Sequence, residues 1–295
     1  AYMAEQLKGT KPVFEIGNEI ERDNGYEWLA FRPSGEQYAK LLKSAYEAIK
    51  KVDPDATVLT QGGCSLWSKH GQEFAKQMLS VNGITKYMDG FSTHPYYINE
   101  HIDEYVDEKI RGSEYDSELR FGEQIDWLAD RLKQAEERDG TKLGTVKIWL
   151  TEYGATTGGG VSELVQGVND VRATIISRSR ERVECLSIYN IVQKGDADAT
   201  DGSAWENGYG ITRKDYTAKP AYVALSAMNA LLHDTEYKDG AFEKSYSGNR
   251  TFSAYGFQRE NEFEKQYIYV LWKNTLKNAD GSFDLTHKES VQIQK

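Results

Sequence analysis

Five short apolar runs of β-type composition alternate with helical segments, and this alternation limits what the chain can fold into more than any other feature. The runs fall at 13–17, 57–60, 88–93, 146–151 and 183–191, and the helical patterns at about 35–51, 71–80, 117–138, 162–180 and 219–232. Residues 1–8 read as the end of a further helix, broken by Gly9-Thr10-Lys11-Pro12. The helices have start signals and faces. Ser34 stands three residues before Gln37, a capping-box pattern. Tyr38, Leu41, Leu42, Ala45 and Ile49 recur at helical spacing, as do Phe121, Ile125, Leu128 and Leu132, and then Val165, Val168, Val171, Ile175 and Ile176. Strands alternating with helices of this length predict a parallel sheet in an α/β fold. After residue 235 the pattern changes. Segments 250–257 and 266–272 have the alternation of antiparallel strands, so residues 1–235 are expected to form an α/β unit and 236–295 a β-rich accessory segment.

Composition excludes several roles. The net charge is −10, the opposite of the basic footprint that nucleic-acid binding needs, so no nucleic-acid partner is expected. No apolar run reaches the length of a membrane helix, and no membrane association is expected. Cys64 and Cys185 are too few for a disulfide framework and are expected to be buried thiols. Gly158-Gly159-Gly160 lacks the lysine and spacing of a phosphate loop and is expected to be a flexible loop. His94 has Glu100 and His101 nearby, but their spacing matches no helix-borne pair of zinc ligands. Neither a metal nor a cofactor is expected. Asn249-Arg250-Thr251 fits a glycosylation triplet, a pattern common by chance. The 19 tyrosines and six tryptophans mostly suit a core, and the loop aromatics Tyr97, Trp67 and Trp205 suit stacking on sugar rings.

The chemistry lies at the strand ends. In a parallel α/β barrel, reactive side chains gather where strands finish. Here Asn18-Glu19 ends the first strand, His94-Pro95-Tyr96-Tyr97 the third, Glu152-Tyr153 the fourth, and Tyr189-Asn190 falls near the end of the fifth. Alternation sends Glu15 to the barrel side, where a salt bridge is expected. A carboxylate at the end of a buried strand is in an unfavourable place unless something there uses it. Two can act on one glycosidic bond, one as acid and base, the other as nucleophile. Tyr96 or His94 is placed to donate to Glu152, and Asn18 to bind a sugar hydroxyl. The residues alone leave open which glutamate takes which role.

The ordered set Gly17-Asn18-Glu19, Thr93-His94-Pro95-Tyr96 and Trp149-Leu150-Thr151-Glu152 resembles the retaining glycoside hydrolases of clan A, with (β/α)8 TIM barrels. The run Asn207-Gly208-Tyr209-Gly210-Ile211 followed by Lys219-Pro220-Ala221-Tyr222 is similar to the segment after strand eight in family 39, with families 5 and 79 also near in pattern. The resemblance implies that Glu19 is the acid/base at the end of barrel strand four and Glu152 the nucleophile at strand seven. It implies that Asn18 binds the sugar 2-hydroxyl and that His94 and Tyr96 are supporting residues. Where many clan members carry a tryptophan at strand eight, this chain has Tyr189, with Trp205 as a possible substitute. Tyr97, Tyr189 and Trp205 complete the expected sugar-binding set.

On that alignment barrel strands one to three have no counterpart here, and five βα units do not close an eight-stranded barrel. The chain is therefore expected to be a partial barrel, either a fragment or one that a second chain completes, with a β-sandwich-like segment after it. The expected activity is hydrolysis of a β-linked oligo- or polysaccharide with retention. The alternatives are a carbohydrate-binding fragment without turnover and a half-barrel needing a partner. The resemblance implies a secreted or periplasmic setting.

Overall fold

The computed structural model describes residues 1–21, 32–97, 119–200, 203–238, 252–260 and 264–273. The first part builds strands β1 (Val13–Glu15), β2 (Thr57–Leu59), β3 (Gly90–Thr93), β4 (Lys147–Tyr153) and β5 (Val183–Ile188) into one parallel sheet, in that spatial order, curled as half of a barrel. Helices α1 (Tyr2–Gln6), α2 (Gly35–Val52), α3 (Lys69–Ser80), α4 (Phe121–Asp139), α5 (Glu163–Arg178), α6 (Ala204–Asn207) and α7 (Pro220–Leu231) lie between and around them. The register pairs Val13 with Thr57, Leu59 with Gly90, Phe91 with Ile148 and Trp149 with Cys185.

The local signals act as the sequence predicts at several points. Ser34 and Gln37 exchange both hydrogen bonds of a capping box and start α2. Tyr38, Leu42 and Ile49 are buried, whereas Leu41, at the edge of the stripe about 60° round the helix from Tyr38, is 44% exposed. Phe121, Ile125, Leu128 and Leu132 form the buried face of α4. The Phe121 ring meets Tyr153 at 4.9 Å, edge to face. Truncating so enclosed a ring to alanine removes about 3–5 kcal/mol. The helix α5 departs from expectation. Ile175 and Ile176 are buried as expected, but Val165, Val168 and Val171 are only half-buried, and Gln166, Asn169, Asp170, Arg172 and Ser177 are buried. This helix is covered by the sheet and by α7, and a methyl at Gly167 would lie 3.0 Å from the Ala221 nitrogen.

Three further strands, β6 (Glu236–Tyr237), β7 (Phe252–Glu260) and β8 (Lys265–Lys273), form an antiparallel sheet. Among the described residues this accessory segment is one sheet, not two. Phe257 of β7 packs with Ile175 of α5 and with Leu225, Met228 and Leu232 around α7. On the barrel side of the parallel sheet, the Ser92 hydroxyl lies 2.5 Å from both Glu15 and Thr151. Glu15 thus has a hydroxyl donor where a salt bridge was expected. Cys64 is a buried free thiol as expected, while Cys185 is only half-buried. Among the described residues, no helix is long and apolar enough to cross a membrane. The triplet at 249–251, Glu100 and His101 lie outside the described residues.

Two buried carboxyls are shifted in opposite directions. Burial would raise Asp139, but Arg138, the Gly83 and Thr85 amides and the Thr85 hydroxyl outweigh it and hold the group at about 2. Burial dominates at Asp170, with one amide and the charge of Lys219 opposing it, and its pKa rises to about 7. The folded state therefore releases the Asp139 proton more readily than the unfolded chain and holds the Asp170 proton more tightly. Stability contributed by Asp139 is complete above its unfolded value and is lost as pH falls toward 2. Asp170 costs stability progressively as pH rises from about 4 to 7, on the order of 4 kcal/mol. Urea unfolding across pH should show Asp139→Asn flattening the acid limb and Asp170→Asn flattening the decline between pH 4 and 7. Unchanged slopes would contradict the assignment.

Candidate active site

Past β1 the chain makes a tight approach to the loop after β2. Glu19 donates its N–H to the Gly62 carbonyl at 2.5 Å, and the Gly62 N–H returns to the Gly17 carbonyl at 3.0 Å. Asn18 bridges Gly62 in parallel fashion and is exposed. Glu19 has φ 47°, a left-handed conformation rare outside glycine. Gly63, with φ 129°, has no room for a side chain: a methyl there would lie 2.9 Å from the Glu19 Cα. This Gly-Gly pair was not identified from the sequence, although two glycines just past a strand end, after Thr60 and Gln61, are a signal of close backbone approach.

The same loop holds the end of β3. The His94 N–H donates to the Gly63 carbonyl at 2.8 Å, and the Thr93 hydroxyl to the Cys64 carbonyl at 3.0 Å. The imidazole of His94 is fully enclosed. Its Nδ1 lies 3.0 Å from Glu19 Oε1 and 3.7 Å from Glu152 Oε2. Its Nε2 is buried and has no hydrogen-bond partner among the described residues. In the neutral ring the single proton therefore belongs on Nδ1, aimed between the two carboxylates.

Glu152 is the penultimate residue of β4. Tyr96 donates its hydroxyl to Glu152 Oε2 at 3.0 Å. Burial, and then the facing Glu152 charge, push the Tyr96 phenol far above its ordinary pKa, so it stays a donor. One oxygen of Glu19, one of Glu152 and a ring nitrogen of His94 all lie within 4.8 Å of one another. Among the described residues this is the one trio of such donors that close. A cation would have to displace the contact between His94 Nδ1 and Glu19. The carboxylates are not equivalent: the Glu19 side chain is 12% exposed and that of Glu152 is 32% exposed.

The remaining aromatic residues form a wall beyond Tyr96. Tyr209, almost buried, meets Tyr96 at 5.6 Å and Tyr189 at 5.5 Å, both edge to face. Trp205 donates its Nε1–H to the Tyr209 hydroxyl at 2.9 Å and leaves 42% of itself exposed. The Tyr189 hydroxyl donates to Glu206 at 2.6 Å and also contacts Lys194. Tyr97 is half-buried against the main core, and Trp67 is buried. Tyr209 was not singled out as a site residue, though it links three of those that were. Gly158–Gly160 forms a short 3-10 turn, and its first residue packs closely on the chain at Ala204, where a methyl on Gly158 would lie 2.4 Å from the carbonyl oxygen.

No family model and no curated protein matches the sequence. Solved structures do match. A family 39 glycoside hydrolase from the gut symbiont Bacteroides cellulosilyticus WH2 superposes with a TM-score of 0.67 at 21% identity, over 99% of this chain and 58% of that one. This chain has the fold of the clan A glycoside hydrolases, in partial form. A family 51 α-L-arabinofuranosidase from Bifidobacterium longum gives a TM-score of 0.59 at 14% identity, over 95% of this chain and 62% of that one. The GH5_18 protein from Streptomyces cattleya, solved in complex with GlcNAc, gives 0.52 at 17% identity, over 78% and 51%. The chain thus spans between half and two thirds of the length of these three structures.

The contact between Gly63 and Glu19 generates a prediction. Gly83 also has positive φ, at 78°, but nothing within 4 Å would meet a methyl there. Gly83→Ala should therefore cost only the conformational term, about 1–2 kcal/mol. Gly63→Ala should cost at least about 1 kcal/mol more by urea unfolding, because the Glu19 backbone has to move. Equal losses would show that Glu19 is not held against this loop.

Proposed function

We propose that this chain is a glycoside hydrolase unit that cleaves a β-linked glycan with retention, through Glu19 and Glu152. The observation that supports it most is the approach of the two carboxylate oxygens to within 4.8 Å. Retaining glycosidases hold their carboxyl groups about 5–5.5 Å apart, and inverting ones about 6.5–9.5 Å, to admit a water. The surroundings support the division of roles. The Tyr96 hydroxyl donates to Glu152 Oε2 and so holds the carboxyl proposed as nucleophile in place. Glu19, more enclosed, suits the proton-carrying role.

In the first step the Glu19 carboxyl gives its proton to the glycosidic oxygen while a Glu152 oxygen attacks the anomeric carbon. The bond to the leaving group breaks and an alcohol departs. In the second, Glu19 takes a proton from water, the oxygen of that water attacks the same carbon, and Glu152 leaves as carboxylate. Asn18, exposed beside Glu19, binds the sugar 2-hydroxyl. Tyr189 and Trp205 offer sugar-contacting faces, with Tyr97 at the edge. His94, fully enclosed, orients both carboxylates through Nδ1 and does not reach substrate. We place the protein outside the cytoplasm, where polymeric glycans are met. A second reading, a half-barrel that acts only with a partner chain, is favoured by the exposure of Val13 and Glu15 on the β1 edge. Catalysis by a species of twice the chain mass, with none by the monomer, would select it.

The test uses 2,4-dinitrophenyl 2-deoxy-2-fluoro-β-D-xyloside and the corresponding glucoside as covalent probes. Mass spectrometry of the digested protein should place one sugar per chain on Glu152. Glu152→Ala should reduce turnover of the parent aryl glycosides to background, with azide restoring it and giving the α-glycosyl azide. Labelling at another residue, or wild-type rates in the variant, would overturn the reading.

A further inference from the structure

The polar buried face of α5 has a target. Gln166 and Asp170, one turn apart, close on the two sides of a single residue, Ala155, three positions beyond Glu152. Gln166 donates from Nε2 to the Ala155 carbonyl at 2.8 Å, and the Ala155 N–H donates to Asp170 Oδ1 at 3.0 Å. The same Gln166 nitrogen lies 3.2, 3.1 and 3.3 Å from the carbonyls of Gly208, Tyr209 and Gly210. Four carbonyls around one nitrogen fix the orientation of the amide, since a flipped side chain would set oxygen against oxygen.

One helical turn thus ties the loop after β4, which follows Glu152, to the loop that places Tyr209 against Tyr96. Tyr96 in turn is the donor to Glu152. The arrangement costs stability: Gln166 Oε1 and Asp170 Oδ2 are buried with no hydrogen-bond partner among the described residues. Apolar side chains would avoid that cost but would leave the Ala155 N–H and the carbonyls of Ala155, Tyr209 and Gly210 without these partners. The polar pair therefore joins the backbones of the two loops through one helical turn.

We infer that Gln166 and Asp170 are positioning residues, which set Glu152 relative to Tyr96 by gripping Ala155 and the Gly208–Gly210 segment. The catalytic consequence rests on the glycosidase reading, whereas the grip itself does not. Gln166→Met keeps the length and removes the donor. Asp170→Ala removes the acceptor, and Asp170→Asn retains one.

The rate of covalent labelling by the two dinitrophenyl fluoroglycosides separates positioning from a merely structural role. Activated leaving groups need little help from Glu19, so this rate reports on Glu152. Gln166→Met and Asp170→Ala should still take up one label per chain, at least tenfold more slowly than wild type, with Asp170→Asn falling less than Asp170→Ala. A structural role would lower the number of labelled chains and leave the rate per labelled site unchanged, and that result overturns the inference.

If the wild-type protein takes no label, the glycosidase reading fails and amide exchange decides the grip. In Asp170→Ala the Ala155 amide should exchange at least tenfold faster, and in Asp170→Asn by less, while Ile148 and Leu150 are unaffected. Unchanged exchange at Ala155 would refute it. Gln166→Met provides the independent variant should the aspartate changes prevent folding.

Discussion

The site depends on where the imidazole of His94 is held. Its backbone is bonded to Gly63, and the residue next to Gly63, Gly62, is bonded in both directions to the chain around Glu19. The backbones that carry this ring and that carboxylate are thus tied to the same two glycines. With Nε2 enclosed and unpartnered among the described residues, Nδ1–H points to the gap between Glu19 and Glu152. Two acidic groups this close repel when both are ionised. One donor, the His94 Nδ1–H, lies between them, with the Tyr96 hydroxyl added on the Glu152 side.

The cost of this geometry falls on the backbone. Glu19 sits at positive φ, a conformation that costs a non-glycine residue about 1–2 kcal/mol. Two backbone hydrogen bonds to Gly62 and the bare Cα of Gly63 make room for it and hold it there. A strained residue bearing a carboxylate just past the end of a strand agrees with a site whose geometry matters more than its local stability.

Much of this was legible in the sequence, for physical reasons. Period and capping identify α2 and α4 because each presents one apolar stripe to one surface. Strand order follows from chain order because parallel strands joined by helices fall side by side. Glu19 and Glu152 stand out because charge at the end of an apolar run needs an explanation. The polar face of α5 was not legible. Its three valines mark an apolar stripe, but the helix is covered by both the sheet and α7, so sequence spacing no longer says which side is inside. Tyr209 escaped notice because its neighbours Tyr96, Tyr189 and Trp205 meet it only in space. Gly62 and Gly63 read as an ordinary loop until the Glu19 backbone is placed over them.

The proposed chemistry stands on one arrangement: an oxygen of Glu19 and an oxygen of Glu152 within 4.8 Å of one another, close to the spacing of a retaining pair. The stereochemistry of the first-formed sugar reports on it directly. Proton NMR during the opening minutes of hydrolysis of an aryl β-glycoside should show the β anomer first, with the α anomer appearing only by mutarotation. An initial α anomer would mean that water, not Glu152, attacks the anomeric carbon, and would contradict the account.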